Sequence, residues 1–250
     1  MKPAIILIDP QLGENIGMVA RAMWNCCLDD LRLVRPREHW LNEHTLKAAA
    51  GAEHRLHETK IFSTTKEAIA DLHWVFATTA RPRDMEKAVN TPKEATNYMV
   101  QNSTQKMGII FGRERSGLQN DDIALANTII EIPLNAEYCS LNLAQAVLVC
   151  AYEYHQTELT FSEAIKTKKP SPPPACKENL INFFEHLETE LYKTDFLLPI
   201  EKRAKMVRNL RNIFQHIPLS EQDIRTLRGV ISALTFKHSF PYKGSLKSEP

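Results

Sequence analysis

Five short apolar runs, separated by stretches with helical periodicity, constrain the fold of this chain more than any other feature. They are Ala4–Ile8 (AIILI), Leu31–Val34, Trp74–Ala77, Met107–Phe111 and the shorter Thr128–Ile132. Helical patterns fall between them, over Ile16–Cys27, Thr45–Ala52, Lys66–Leu72 and Thr91–Gln101. In the first of these Ile16, Val19, Ala20, Met23 and Cys27 recur at steps of three and four, the spacing of one helix face packed on a sheet. Arg21 and Asn25 then share a different face. Thr91-Pro92 opens the fourth pattern with proline at the first helical position, where its missing N–H costs nothing. Strands alternating with helices predict an α/β domain with a mostly parallel sheet. A further helix is predicted from Ser140 to about Tyr154, with Leu141, Ala144, Leu148 and Ala151 on one face.

The pattern then changes. KTKKPSPPPACKE places four prolines within five residues, which can continue neither a helix nor a central strand. The expected organisation is a sheet domain over 1–165, a proline-rich linker over 166–176 and an all-helical domain over 177–250. Its helices are predicted over Glu178–Tyr192, Pro199–Gln215 and Ser220–His238, the last opened by Ser220 with Asp223 three residues on, a variant of the capping box. Some 75 residues hold too small a core to stand alone, so this part is expected to pack on the remainder or on a partner. EKRAKMVRNLRNIF alternates Lys202, Arg203, Lys205, Arg208 and Arg211 with Met206, Val207, Leu210 and Phe214, an amphipathic helix with a basic face. Such a face is either solvated surface or a place for phosphates.

Composition excludes several classes. The chain has 250 residues, 43% hydrophobic and 24% charged, an ordinary globular balance. No apolar run approaches the roughly 18 residues of a membrane span. MKPAIILIDPQ lacks a small-residue cleavage site and reads as a first strand, not a signal peptide. Cys26, Cys27, Cys139, Cys150 and Cys176 form an odd set without a CxxC pair, as expected of reduced thiols in a cytoplasmic protein. The nine histidines never fall into an HxxxH or HxH arrangement near a cysteine pair, so no metal is expected. The net charge of +1 does not by itself point to nucleic acid. Local basic clusters at Arg32, Arg35 and Arg37, at Arg81 and Arg83, at Arg113 and Arg115, and at Lys166, Lys168 and Lys169 nevertheless suit a polyanionic ligand.

Phosphate loops can be tested directly. Only eight glycines are present and no GxGxxG occurs, which disfavours a dinucleotide site. GRERSGLQ has GxxxxG spacing, but Leu118-Gln119 follows where Lys and Ser or Thr are required. Three other stretches are unusual together: NIGMVARA, GIIFGRERSGL and IEIPLNAEYCSLNLAQAV.

In that order and at those separations they resemble the SpoU/TrmH class of the SPOUT RNA methyltransferases, over about residues 1–160. The short N-terminus, FGRERSGL, EYCSLNLAQAV and the helical extension are similar to the members of that class that methylate a ribose 2′-OH in tRNA. The resemblance implies a SPOUT-type parallel sheet with a C-terminal trefoil knot, and a homodimer with active sites at its interface. It implies S-adenosyl-L-methionine as cofactor, and tRNA as substrate, at cytidine or uridine 32 of the anticodon loop. Cofactor positions carried over are Thr78, Thr79, Gly112, Ile132, Cys139, Ser140 and Leu141. These are places where turns and glycine let backbone groups approach a ligand. Asn15, Arg21, Glu114, Ser140 and Asn142 match the polar catalytic positions. Cys139 departs from the serine or small residue often found there.

The class makes Arg21 the usual candidate for the base, yet a guanidinium almost never gives up its proton. Anchoring a phosphate, or stabilising a developing 2′-oxyanion, suits its permanent charge better. Glu114 could orient Arg21 or Asn15, or form a surface ion pair with Arg113 or Arg115. The alternatives for the whole chain are a 2′-O-methyltransferase acting on rRNA or another tRNA position, and a catalytically silent RNA-binding factor.

Overall fold

In a computed structural model the chain is described over residues 1–79, 87–161 and 173–235. Seven strands form one sheet: β1 (Ala4–Ile8), β2 (Leu31–Val34), β3 (Lys60–Phe62), β4 (Trp74–Thr78), β5 (Val89–Asn90), β6 (Met107–Phe111) and β7 (Thr128–Ile130). Their order is β3-β2-β1-β6-β4-β7-β5, and every neighbouring pair is parallel. Leu7 of β1 stands in register with Leu33 of β2 on one side and Phe111 of β6 on the other. Ten α-helices accompany the sheet among the described residues: α1 (Gly13–Asn25), α2 (Glu43–Ala49), α3 (Glu53–His57), α4 (Thr65–Ile69), α5 (Pro92–Gln101), α6 (Asn120–Leu125), α7 (Leu143–Phe161), α8 (Lys177–Tyr192), α9 (Arg203–Gln215) and α10 (Glu221–Thr235).

The period of two along β1 sorts its side chains between two cores. Ile5 and Leu7 pack with Ile16, Val19, Ala20 and Met23 of α1, Met99 of α5 and Val147 of α7. Ala4, Ile6 and Ile8 pack on the opposite face with Ile69 of α4, Ile123 of α6 and Ile181 of α8. A parallel sheet covered on both faces needs strands that are apolar throughout, and β1, β2 and β6 are buried at every position.

Several expectations shift. The strands β3 and β5 went unanticipated because they are three and two residues long and largely exposed. The helix predicted over Thr45–Ala52 ends at Ala49, where Ala50 (φ 42°) and Gly51 (φ 99°) turn left-handed before α3 begins. Cys27 does not join the apolar face of α1: the helix stops at Asn25, Cys27 has φ 60° and is exposed, and Cys26 is buried instead. In α7 the buried face is Leu143, Ala144, Val147, Cys150, Ala151 and Tyr154, while Leu148 points to solvent and Leu141 precedes the helix. Pro199 is followed by a 3-10 turn over Ile200–Lys202, and α9 starts only at Arg203.

The expected capping box at Ser220 forms, and a second one, not anticipated, opens the helix at Thr91. Thr91 and Glu94 exchange side-chain to backbone bonds at α5, as do Ser220 and Asp223 at α10. Residues 162–172, with most of the proline-rich segment, lie outside the described residues, as do Arg81, Arg83 and the predicted helix end at 236–238.

The C-terminal helices pack on the second face of the sheet. Their own core gathers Leu180, Phe183, Phe184 and Ile224, with Phe214 edge-on to Phe183 at 4.8 Å. Backbone N–H groups of Lys177 and Glu178 donate to the carbonyls of Leu72 and Ala70 (2.5 and 2.9 Å). Ion pairs Lys66–Glu185 (2.6 Å) and Arg208–Asp121 (3.1 Å) flank this contact. The basic face of α9 is therefore partly internal. Arg208 and Arg211 are paired with Asp121 and Glu188, and Arg203 lies over the ring of Tyr192 at 4.4 Å, leaving Lys202 and Lys205 to solvent. Arg32 is likewise structural, buried between Asp30 and Asp71 at 2.6 and 2.5 Å.

Candidate active site

The carboxyl ends of β4, β6 and β7 open into one cavity of about 270 Å³, bounded by residues 78–79, 111–117, 130–134 and 139–141. Ligands of open α/β sheets bind at this edge. The hydroxyl of Thr78 donates to the carbonyl of Ile110 (3.0 Å), and the N–H of Thr79 to that of Ile130 (3.1 Å), tying the three strand ends together. The loop after β6 folds back on itself. The N–H of Gly117 donates to the carbonyl of Arg113 (2.9 Å) with Gly117 at φ 68°, and a Cβ on Gly112 would overlap the backbone of Gly117 and Leu118. Only glycine fits at 112.

Thr78, Thr79, Gly112, Ile132, Cys139, Ser140 and Leu141 all line this cavity, together with Glu114. Arg21 does not. With Met18, Asn25, Asn142, Gln145 and Leu148 it borders a separate shallow concavity between α1 and the start of α7.

A chain of hydrogen bonds joins the two. The carboxylate of Glu114 accepts from the backbone N–H of Gln11 (3.2 and 3.1 Å to its two oxygens), from that of Leu12 (3.1 Å) and from Nδ2 of Asn15 (3.0 Å). Asn15, only 3% exposed, accepts at Oδ1 from Nδ2 of Asn142 (2.9 Å). Asn142 in turn accepts from the N–H of Ala144 (2.8 Å) and so caps α7. Glu114 thus orients Asn15 and not Arg21, and the ion pair considered with Arg113 or Arg115 gives way to this network. Arg113 pairs instead with Asp9 (2.8 Å). The sequence placed Arg113 only in a basic cluster and carried no signal for Asp9.

The cavity combines apolar walls (Phe111, Ile132, Leu134, Leu141) with hydroxyls, backbone groups and the charges of Arg113, Glu114 and Arg115. That mixture suits a ligand with a flat apolar base at one end and a zwitterion at the other. Among the described residues no cluster of His, Cys, Asp and Glu could hold a metal.

A parallel sheet with a ligand cavity at its carboxyl edge and a polar relay beside it defines the class as an α/β ligand-binding protein. The SpoU rRNA methylase family model matches residues 2–152. The chain belongs to that family and, within it, to the TrmJ proteins, whose tRNA methyltransferase TrmJ C-terminal domain matches residues 178–242. The crystal structure of TrmJ from Z. mobilis ZM4 is 45% identical, covers 94% of this chain and 99% of that one, and superposes with a TM-score of 0.85. The tRNA (cytidine/uridine-2′-O-)-methyltransferase TrmJ of Cronobacter sakazakii is 33% identical over 236 residues, 92% of this chain and 94% of the relative. A structure described by its 2-OH methylation of C/U34 on tRNA is 27% identical, with a TM-score of 0.50, and covers 63% of this chain and 95% of that one.

Proposed function

We propose that the chain is a tRNA (cytidine/uridine-2′-O-)-methyltransferase that uses S-adenosyl-L-methionine and acts at nucleotide 32 of the anticodon loop. The observation that carries this reading is the relay from Glu114 through Asn15 to Asn142, set between a donor-sized cavity and the guanidinium of Arg21. The relatives supply the substrate class. The relative concerned with C/U34 matches only 63% of this chain, whereas this chain also carries the TrmJ C-terminal region, which favours a site other than 34.

Thr78, Thr79, Gly112, Ile132, Cys139, Ser140 and Leu141 would hold the donor. Bound there, it supplies an electrophilic methyl group for in-line displacement by the ribose oxygen. The chain's own residues align that oxygen, stabilise charge on it and keep water out. Ser140 stands on the donor cavity and Asn142, two residues on, lines the concavity that Arg21 borders, so the segment between them links the two.

Arg21 is assigned to a target phosphate or the developing 2′-oxyanion, as its fixed charge suits. It lies on a face where Met18 (39%), Leu148 (42%) and Tyr152 (54%) are exposed. A second copy covering that face would enclose Arg21, in keeping with a homodimer whose sites lie at the seam. The same reading takes the sheet domain to be threaded as a trefoil knot and divides the chain at 1–165, 166–176 and 177–250. It places the protein in the cytoplasm; no described helix is long and apolar enough to cross a membrane.

The test is methyl transfer from labelled S-adenosyl-L-methionine to unmodified tRNA, beside a matched transcript already 2′-O-methylated at nucleotide 32. Incorporation only into the unblocked transcript is expected. Equal incorporation into both would move the target elsewhere, to 34 or to rRNA. Arg21→Lys is expected to keep appreciable activity and Arg21→Ala to lose about two orders of magnitude, the scale of one lost charge-stabilising donor. Loss with lysine as complete as with alanine would assign Arg21 a role specific to the guanidinium.

A further inference from the structure

Asp9 and Arg35 follow adjacent strands, β1 and β2, and both have left-handed backbones, φ 49° and 47°. Arginine is uncommon in that region and has no local bond that relieves it, so the conformation is imposed by its surroundings. The N–H of Asp9 donates to Val34 (2.9 Å) and that of Arg35 to Phe62 (3.0 Å), each extending the ladder one step past its strand. Their side chains then meet: Nε and Nη2 of Arg35 donate to the two oxygens of Asp9 at 2.9 and 3.1 Å. From the β6 side, Nε and Nη2 of Arg113 both donate to Oδ2 of the same carboxylate, at 3.1 and 2.8 Å.

Two guanidinium groups thus share one carboxylate. The Asp9 side chain is 10% exposed, against 44% for Arg35 and 40% for Arg113, so the carboxylate is buried and the two arginine side chains reach solvent. Burial alone would push the Asp9 carboxyl up, but the bonds and charges of Arg35 and Arg113 outweigh it and hold the group below its usual range. It therefore stays ionised and fixes both forks. One arginine would satisfy Asp9 as a loop clamp; the second has no carboxylate bonded to it alone, the charge of buried Asp122 acting on Arg35 without a hydrogen bond, and Arg113 lines the donor cavity. Each arginine spends its Nε–Nη2 side on Asp9, and Nη1 of Arg35 also donates to the carbonyl of Ser63 (3.4 Å), so the Nη hydrogens that remain are the ones offered to phosphate oxygens, whose contacts set the register of a nucleic acid on its reader.

We propose that Arg35 and Arg113, aligned by Asp9, receive one backbone phosphate of the substrate RNA at the edge of the donor cavity. This rests on the reading of the chain as an RNA methyltransferase and names one contact through which the RNA is held.

Arg35 is the residue to change, because it does not line the donor cavity. Binding of tRNA and of polyuridylate to the full chain is measured between about 50 and 200 mM salt. Arg35→Gln is expected to weaken both roughly tenfold at the low end and to lower the slope of log affinity against log salt by about 0.7 to 0.9, one phosphate's worth. Donor affinity by calorimetry should be unchanged, and Arg35→Lys should restore the slope. Unchanged RNA affinity and slope in Arg35→Gln would overturn the proposal, as would an equal loss of donor affinity, which marks a loop clamp only. A wild-type chain that binds RNA but methylates no tRNA removes the assigned function instead, and polyuridylate binding still decides the phosphate site.

Discussion

Asn15 is buried with both ends of its amide committed, donating to Glu114 and accepting from Asn142. That polarity makes the relay directional, and it rests on a carboxylate that can only accept. Glu114→Gln keeps the shape but turns an NH2 toward groups that themselves donate. Bonds to a charged acceptor contribute about 1.5–3 kcal/mol each, so the methyl-transfer rate should fall by roughly 10- to 100-fold, with donor affinity changed less. Single-turnover transfer beside calorimetry of donor binding separates the two effects, and an unchanged rate would take Glu114 out of the reaction. Asn15, Glu114 and Asn142 were all legible as motif positions. Their connection was not, because the bonds span 99 and 127 residues of sequence and arise only when the first turn of α1 meets two loops at one sheet edge. Asp9 was invisible for a related reason: in sequence it only closes the first apolar run before a proline, and the fold alone brings Arg35 and Arg113 to it.

At the scale of elements, α1 meets α2 through glycine. A Cβ at Gly17 would run into the carbonyl of Thr45 and stand 2.9 Å from the Cβ of Ala48. Backbone cannot step aside as a side-chain tip can, so Gly17→Ala should cost about 1–3 kcal/mol despite alanine's better helix propensity. Gly229 in α10 is the contrast, since nothing lies near its added Cβ. There Gly229→Ala should stabilise by about 0.5–1 kcal/mol. Urea unfolding of both variants checks the pair, and like signs would contradict this packing. The long strands and α1, α5 and α8 were readable because burial dictates their apolar pattern. What escaped was set by single positions: the left-handed stop at Ala50, the Asn142 cap that moves the start of α7 past Ser140, and the edge strands β3 and β5, too short for a period to register. The basic face of α9 was read correctly as a pattern, but patterning cannot say that Asp121 and Glu188 occupy two of its arginines.

For the whole molecule, the docking of the C-terminal helices is tied to protons. Lys177 at the start of α8 is fully buried and donates from Nζ to Gln215 of α9 (2.8 Å), while Lys87 donates to the carbonyl of Ala126 (2.7 Å). Burial lowers both amines, Lys87 to about 7 and Lys177 well below its ordinary value, with the charge of Lys87 adding to the effect at Lys177. In the unfolded chain a lysine titrates near 10.4. Between pH 7 and that value the unfolded state holds a proton on Lys87 that the native state lacks, so stability rises with pH across this window and is flat below it. The slope is at most about 1.4 kcal/mol per pH unit for each lysine. Lys87→Met should therefore be more stable than wild type at pH 7, and the difference should shrink as pH rises toward 9.5. Urea unfolding at several pH values, taken as the difference between the two chains, cancels the thiols and tyrosines that titrate in the same range. Parallel curves would mean that Lys87 keeps its charge in the native state; converging curves would make the seam between the sheet and its C-terminal helices weakest toward the neutral end of this window, where burying the amine of Lys87 costs most.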